Sequence, residues 1–357
     1  MMRVTQKTRL ATAVILIAVS GLLVGAVPAF AATSITGTGA TFPQFLYQKW
    51  AAAYHAANPS VQISYTGTGS GAGIQAIQAG TVDFGASDAP LAKAALNQSK
   101  LVQFPTCVGG IVPIVNIPGV GTGRLKLSGH VLARIYLGEI TKWNNPEIRS
   151  LNSGLNLPNE SIKVIYRADS SGTTWNFTTY LSRVSSTWAG DVGISKSPAW
   201  PVGIGGNKSD GVANLVKTEK YSIGYIEYAY AKTYKIAYAQ MRNRAGKWVL
   251  PSSTSFAAAA AGAPWSWNNG FYTVLANAKG TGSWPMTAAT FVLVRRTQAS
   301  KETGNAMLRF FDWAYRVAKA KAAARSLDFV SMPPSVVTKV EAVWRSFIKA
   351  SRVPCWP

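Results

Sequence analysis

The segment from Arg167 to Thr173 carries the residues best suited to bind an anion. It reads Arg-Ala-Asp-Ser-Ser-Gly-Thr and brings one fixed positive charge, one carboxylate and several hydroxyls into a single loop. Residues 174–181 can continue as a helix, whose N-terminus would offer unpaired N–H groups and a partial positive charge. These features predict a cradle for an oxyanion. Asp169 is the unexpected member, because a carboxylate should repel an anion.

Three earlier segments share this organisation of a strand, a turn and a helix. Thr41 lies just before Pro43, which suits the first position of a helix, and Ser70 follows the alternating strand pattern of residues 61–65. Asp88 follows a strand at residues 82–87 and precedes a predicted helix at residues 91–98. Helix capping is the alternative role for both Ser70 and Asp88.

Arg167 stands in the fourth such segment, at the end of a strand pattern over residues 162–166. Ligands of open α/β folds bind beyond the carboxyl ends of strands. Four junctions of this kind therefore predict one site at which several helix N-termini converge.

Other chemistries have weaker support in the sequence. Gly67-x-Gly69-x-x-Ala72 fits a loose form of the dinucleotide-binding motif, and Asp88 follows at about the distance of the acidic residue that binds the ribose. No set of residues typical of a substrate domain follows in the sequence, so we expect no cofactor. Serine catalysis lacks the Gly-x-Ser-x-Gly elbow, and His55 and His130 are the only histidines. Two cysteines and two histidines are too few to predict a metal site. A secreted phosphatase that uses Ser171 or Ser70 remains the enzymatic alternative.

The N-terminus predicts export. Arg3, Lys7 and Arg9 precede an apolar run at residues 11–28 and a small-residue site that ends at Ala31, so we expect a signal peptide at residues 1–31, cleaved near Ala31. A membrane anchor is the alternative reading of the same run. About 325 residues remain, which favours two domains.

The net charge of the full chain is +22, and it is +19 without the three basic residues of the leader. A field of this size attracts anions without specificity, and a basic adhesin or polyanion binder is a third alternative. The basic residues are dispersed along the chain, so we expect no specific nucleic-acid partner.

Cys107 and Cys355 are the only cysteines. In an oxidising compartment the two could form a disulfide that pins the C-terminal tail. Nothing in the sequence places them together, so their pairing stays open.

Motifs along almost the whole mature chain resemble those of the phosphate-binding proteins of bacterial phosphate ABC transporters. The matching segments are residues 39–43, 66–70, 82–90, 104–106, 115–119, 135–138, 142–143, 167–173, 210–211, 224–230 and 311–315. The resemblance implies a two-lobed α/β periplasmic binding protein of type II-like fold, with two Rossmann-like lobes joined by crossing hinge strands. It also implies a periplasmic, monomeric protein that is not an enzyme and that delivers inorganic phosphate to an inner-membrane permease.

The resemblance also implies the limits of the lobes. Lobe I would combine residues 32–114 and 286–357, and lobe II would hold residues 115–285. Residues 112–116 and 290–294 would be the hinge strands.

A phosphate-binding site is implied in the same way. Its residues would be Thr41, Phe42, Ser70, Asp88, Arg167, Asp169, Ser171, Gly172 and Thr173. Phosphate keeps a proton near neutral pH and sulfate does not, so a buried Asp88 could accept a hydrogen bond from phosphate alone. Sites that recognise a ligand O–H can reject an analogue without it by roughly 10⁴–10⁵-fold. Asp169, two residues from Arg167, would orient the guanidinium by a charge-assisted pair.

Overall fold

A computed structural model describes residues 33–357. The predicted signal peptide lies outside the described residues, so its expected cleavage near Ala31 stays a prediction. The strands are β1 (Thr33–Gly39), β2 (Val61–Gly67), β3 (Phe84–Ser87), β4 (Leu101–Asn116), β5 (Lys126–Leu127), β6 (Lys163–Arg167), β7 (Ile204–Gly206), β8 (Ser222–Glu227), β9 (Ala237–Tyr238), β10 (Gln240–Arg242), β11 (Trp248–Val249), β12 (Thr287–Arg295), β13 (Val330–Ser331), β14 (Lys349–Ala350) and β15 (Val353–Pro354).

Helices connect most of these strands. They are α1 (Gln44–Ala57), α2 (Ser70–Ala79), α3 (Lys93–Gln98), α4 (Gly129–Tyr136), α5 (Pro146–Leu151), α6 (Gly172–Val184), α7 (Ser186–Asp191), α8 (Lys208–Thr218), α9 (Tyr228–Thr233), α10 (Ser253–Ala260), α11 (Lys301–Arg316), α12 (Ala318–Ser326) and α13 (Pro334–Phe347), with a short 3₁₀ helix at Trp267–Asn269.

One ten-stranded mixed sheet organises the fold. Its main path runs β2-β1-β3-β12-β4-β8-β6-β7, and β13 and β9 pair beside β4. On one side β1 pairs in parallel with β2 and β3, as expected when helices cross over between strands. On the other side β6 pairs in parallel with β7 and β8. The carboxyl ends of β1, β2, β3 and β6 carry the four segments singled out from the sequence.

Strand β4 joins the two groups of strands. Its first ten residues, up to Gly110, pair antiparallel with β12, and its remaining residues, from Ile111 onward, pair antiparallel with β8. All but the last of its 16 residues are buried, and most of them are apolar. The change of partner falls one residue before the predicted hinge segment 112–116. The fold is thus a two-lobed α/β structure, and the lobe limits stay a prediction.

Aromatic side chains fill the cores on both sides of β4. Phe311 of α11 meets Phe84 of β3 edge-on at 5.2 Å between ring centroids. Phe177 of α6 stacks on Tyr225 of β8 at 4.1 Å, with ring planes 7° apart. Such pairs add about 0.5–1.5 kcal/mol to the free energy of area burial. The second pair fixes α6, and with it the loop before α6, against the sheet.

The two cysteines are both free and buried, so the disulfide left open by the sequence is not formed. Cys107 lies inside β4, where it pairs with β12 on one side and β13 on the other. Cys355 lies beyond β14, with its backbone N–H on the carbonyl of Ile348 and its sulfur against Gly304. The two thiols belong to the same core but have different neighbours in it. Within residues 33–357 no helix is long and apolar enough to cross a membrane.

Candidate functional site

Four chain segments converge at the ends of the central strands. Thr41 lies just before α1, whose N-cap is Pro43, one residue earlier than the helical position expected for this proline. Ser70 is the first residue of α2, Asp88 directly follows β3, and Ser171 is the N-cap of α6. The tertiary fold brings these junctions into contact.

Arg167 provides the buried positive charge of this site. It is the last residue of β6 and is 1% exposed. Its Nε donates to Asp169 Oδ1 at 2.7 Å, and its Nη2 donates to Asp169 Oδ2 at 2.6 Å. Its Nη1 donates to the hydroxyls of Thr41 and Ser209, each at 3.2 Å. The guanidinium is therefore held in one orientation by a bidentate pair and two hydroxyls.

Asp169 is fully engaged as the partner of Arg167. Besides the two guanidinium bonds, it accepts a hydrogen bond from the backbone N–H of Lys208 at 2.8 Å. Partial burial acts to raise the pKa of this carboxyl, but the hydrogen bonds and charge of Arg167 outweigh it, so the pKa lies below its usual value. Asp169 is thus ionised and oriented, which explains how a carboxylate can stand in an anion cradle.

Asp88 is the second carboxyl of the site and has a different environment. It is 1% exposed, and its Oδ1 accepts a hydrogen bond from the Thr290 hydroxyl at 2.6 Å. Burial raises its pKa to about 7, although the Thr290 hydrogen bond and the charge of Arg167 act in the opposite direction. The alternative role as a helix N-cap is wrong, because α3 starts only at Lys93 and has Ala92 as its N-cap.

Gly172 brings α6 against both α2 and the end of β3. A Cβ atom at this position would stand 2.4 Å from Ser70 Oγ and 2.8 Å from the backbone nitrogen of Asp88. Ser70 Oγ accepts a hydrogen bond from that same Asp88 N–H at 3.2 Å. Ser70 Oγ therefore bonds to the residue after β3. Capping would instead require a bond from a backbone N–H of α2. Only glycine allows this approach.

The hydroxyls at the start of α6 differ in their partners. Ser171 Oγ caps the helix by accepting from the Thr174 N–H at 3.1 Å. Thr173 Oγ1 is buried and has no hydrogen-bond partner among residues 33–357. A buried hydroxyl without a partner is costly, so it marks a place where a ligand acceptor would be favourable.

The remaining predicted residue, Phe42, has its ring in the core. The side chain is buried and packs edge-on against Phe329 at 5.8 Å between centroids. Any contact with a ligand would come from the N–H group at the start of α1.

Sequence reasoning missed four residues of this cluster. They are Asn176, Lys208, Ser209 and Thr290. Asn176 lies one helical turn after Gly172 and donates to the carbonyls of Gly172 and Asp88 at 3.0 and 2.7 Å. Ser209 shares its hydroxyl with Thr41 at 2.8 Å. Ser209 adjoins the matching dipeptide at residues 210–211 and could have been found from it, whereas Thr290 has no local signal.

The geometry favours binding over catalysis. Ser70 and Ser171 bond to backbone N–H groups, His55 bonds to the carbonyl of Val61, and His130 is exposed at the start of α4. The described part of the chain has no group of three or more His, Cys, Asp or Glu side chains that could hold a metal ion. Buried donors around a fixed guanidinium suit a small oxyanion.

The fold and site together define a two-lobed substrate-binding protein of the kind that encloses a small ligand between α/β lobes. A family model described as the PBP superfamily domain matches residues 25–316. The phosphate-binding protein PstS of Pasteurella multocida is 48% identical over 320 residues, which cover 90% of this chain and 92% of that protein. PstS of Haemophilus influenzae is 47% identical, over 92% of this chain and 97% of that protein. The chain belongs to the PstS family of phosphate-binding proteins, within the PBP superfamily, and is not an enzyme.

Solved structures show the same fold at lower sequence identity. A high-affinity periplasmic phosphate-binding protein, PfluDING, bound with phosphate, aligns with a TM-score of 0.72 and 22% identity over 87% of this chain and 94% of its own. A putative phosphate ABC transporter substrate-binding protein from Clostridium perfringens aligns with a TM-score of 0.58 and 18% identity, over 84% of this chain and all of its own. At this identity the likeness concerns the fold.

Proposed function

We propose that this protein captures inorganic phosphate between its lobes and delivers it to an ABC permease for import. One observation carries the proposal: a buried guanidinium and a buried carboxyl, Arg167 and Asp88, face the same junction of strand ends. The names of relatives nearly half identical over almost the whole chain support it.

The two carboxyls have different roles: Asp169 orients the guanidinium that attracts the anion, and Asp88 distinguishes phosphate from sulfate. Asp169 is paired with Arg167 and keeps its fork directed, so the guanidinium and the helix N-termini attract the anion. Among residues 33–357 no cation forms such a bidentate pair with Asp88, and we propose that its carboxylate accepts a hydrogen bond from the ligand hydroxyl. Phosphate offers that hydroxyl, whereas sulfate would bring lone pairs against a buried carboxylate.

The other predicted residues would complete the shell of donors. Thr41 and Ser70 would offer hydroxyls from one lobe, and Ser171 and Thr173 would offer theirs from the other. The N–H groups of Phe42 and Gly172 would add backbone donors at the starts of two helices. Thr173 Oγ1, buried without a partner within residues 33–357, supports this assignment most directly.

Contacts between the two predicted lobes support closure around the ligand. Arg167 Nη1 reaches Thr41, and the Gly71 N–H donates to the carbonyl of Ser170 at 3.0 Å. A ligand that touches both lobes favours the closed state by its differential contacts. We further propose that the mature protein is periplasmic and monomeric, and that its closed form docks on the permease of the inner membrane.

Calorimetric titration with phosphate and with sulfate tests this function. The unaltered protein should bind phosphate and reject sulfate. Asp88→Asn should lose much of the discrimination, while Asp83→Asn, which removes a charge five residues earlier at a partly exposed position, should keep it. Arg167→Ala should weaken phosphate binding strongly, because it removes the buried positive charge.

Two results would contradict the proposal. Wild-type protein that binds sulfate as tightly as phosphate would rule out selection by a ligand proton. An unchanged dissociation constant in Arg167→Ala would rule out the guanidinium as the source of attraction.

A further inference from the structure

A buried threonine from the central strand β12 bonds directly to the carboxyl of Asp88. Thr290 is 0% exposed, and its Oγ1 donates to Asp88 Oδ1 at 2.6 Å. The two residues are 202 positions apart in the chain. They meet because β12 lies antiparallel to β3, with Phe291 opposite Ser87, the residue just before Asp88.

A β-bulge gives Thr290 its position. The register of β12 on β4 shifts between Thr290, opposite Cys107, and Phe291, opposite Pro105, so Thr106 is the extra residue. Bulges bend a strand and redirect side chains next to functional sites. Here the irregularity falls at the residue that reaches Asp88.

Buried hydroxyls hold this bulge in place. Thr106 Oγ1 donates to the Thr290 carbonyl at 3.2 Å and lies 2.5 Å from the Tyr47 hydroxyl. Because the single proton of Thr106 is used on that carbonyl, Tyr47 acts as the donor to Thr106. The chain of hydrogen bonds therefore runs from the core of α1 to the backbone of Thr290.

We propose that Thr290 is a positioning residue for phosphate recognition: its hydroxyl holds Oδ1 of Asp88, so that Oδ2 is the oxygen presented to the proton of the ligand. The inference rests on the proposed function. A carboxylate that accepts a charge-assisted bond at one oxygen has a fixed orientation and a stabilised negative charge. Both are needed if the carboxylate is to accept a hydrogen bond from phosphate and repel sulfate.

The charged groups and the burial around Asp88 determine how strongly the hydrogen bond from Thr290 affects its protonation. Arg167 faces it from β6 and favours the ionised form. Burial is the main cause that raises the pKa of Glu227 at the end of β8, of Tyr65 in β2 and of Cys107 in β4, and the charge of Asp88 adds to it in each case. Burial raises the pKa of Asp88 itself, and the bond from Thr290 opposes that effect. Loss of the hydroxyl should therefore shift Asp88 toward its neutral form, which could donate to sulfate.

The test compares three variants in β12 by titration with phosphate and sulfate between about pH 6 and about pH 9. Thr290→Val, which keeps the shape and removes the hydroxyl, should lower the ratio of phosphate to sulfate affinity by roughly 10- to 100-fold near neutral pH. The ratio should recover as the pH rises and Asp88 ionises. Thr290→Ser should restore most of the ratio. Thr287→Val is the matched control, because Thr287 is equally buried and donates only to the Trp284 carbonyl at 2.9 Å.

The outcomes separate this inference from the proposed function. Wild-type protein that does not bind phosphate would refute the function itself. If wild-type protein binds phosphate and Thr290→Val keeps both its selectivity and its pH profile, the positioning role is wrong. A loss that Thr290→Ser does not restore, or that Thr287→Val reproduces, would also overturn it. Thr290→Ala serves as the second variant if Thr290→Val does not fold, with the same expected loss.

Discussion

Replacing Gly172 by alanine should prevent the lobes from closing while leaving each lobe folded. The new methyl carbon would stand 2.4 Å from Ser70 Oγ and 2.8 Å from the Cβ and backbone nitrogen of Asp88. These atoms belong to the other predicted lobe, so the clash exists only in the closed state. In the open state alanine suits the first position of α6 better than glycine does.

The expected size of the effect follows from these distances. Ordinary carbon contacts lie at about 3.5–4.0 Å, so the neighbours must move by about 1 Å. Ser70 and Asp88 are buried and hydrogen-bonded to each other, which leaves little freedom to move. Overpacking of this kind costs about 1–3 kcal/mol. A cost of about 2 kcal/mol on the closed state alone weakens phosphate binding by about 30-fold.

Calorimetry would give the dissociation constant, and small-angle X-ray scattering with and without phosphate would give the change in radius of gyration. Gly190→Ala is the control, because it lies in α7 and a Cβ atom there would meet nothing within 4 Å. Gly172→Ala should bind phosphate weakly, and its radius of gyration should decrease little when phosphate is added. Its thermal stability without phosphate should be close to that of wild type. Wild-type affinity together with wild-type contraction in Gly172→Ala would refute the reasoning.

Three further predictions concern stability and the thiols. Asp169→Asn should destabilise the ligand-free protein by about 3 kcal/mol in thermal or denaturant unfolding, because it leaves a buried guanidinium without its charge partner. The control Asp210→Asn should cost about 1 kcal/mol, because Asp210 is partly exposed and bonds to one tyrosine hydroxyl. Equal losses in the two variants would contradict this prediction. Asp88 has a pKa raised to about 7 in the folded protein, so the stability it contributes is complete below about pH 4 and is lost as the pH rises to about 7. Asp88→Asn should therefore gain up to about 4 kcal/mol relative to wild type over that interval in denaturant titrations, and a constant difference would exclude the shift. Cys107 and Cys355 are buried and have raised pKa values, so both should resist a thiol reagent in the native protein. Both should react with the reagent after unfolding without a reductant. If no free thiol is found after unfolding, the two cysteines form a disulfide and the prediction is wrong.

The sequence was most informative where structure is local. The α/β class and the phosphate-binding protein family are confirmed, and both depended on short motifs in chain order. The pattern of residues 174–181 predicts a helix, and α6 (Gly172–Val184) contains that segment. Asp169 is two residues from Arg167, and the two form the predicted pair. The lobe limits and the roles of the residues toward phosphate remain predictions.

Long-range contacts explain where the sequence was insufficient. The local pattern allowed Asp88 to cap a helix, but α3 starts five residues later, and the side chain instead meets a threonine of β12. The two cysteines could have paired, but Cys107 lies within the central sheet and Cys355 lies against Gly304 of α11, and both are free. Thr290 and Ser209 look like ordinary polar residues until the sheet and α8 bring them to the site.

The sequence by itself determined which groups are available and where the strand-to-helix junctions lie, since turn chemistry and strand alternation act over a few residues. Only the tertiary structure decided what each carboxyl of the site can do. Asp169 lies beside its own arginine and has a lowered pKa, whereas Asp88 is buried against a neutral hydroxyl and has a raised one. The physical reason is that burial and hydrogen bonding set these properties, and both come from segments as far apart in the chain as residues 88 and 290.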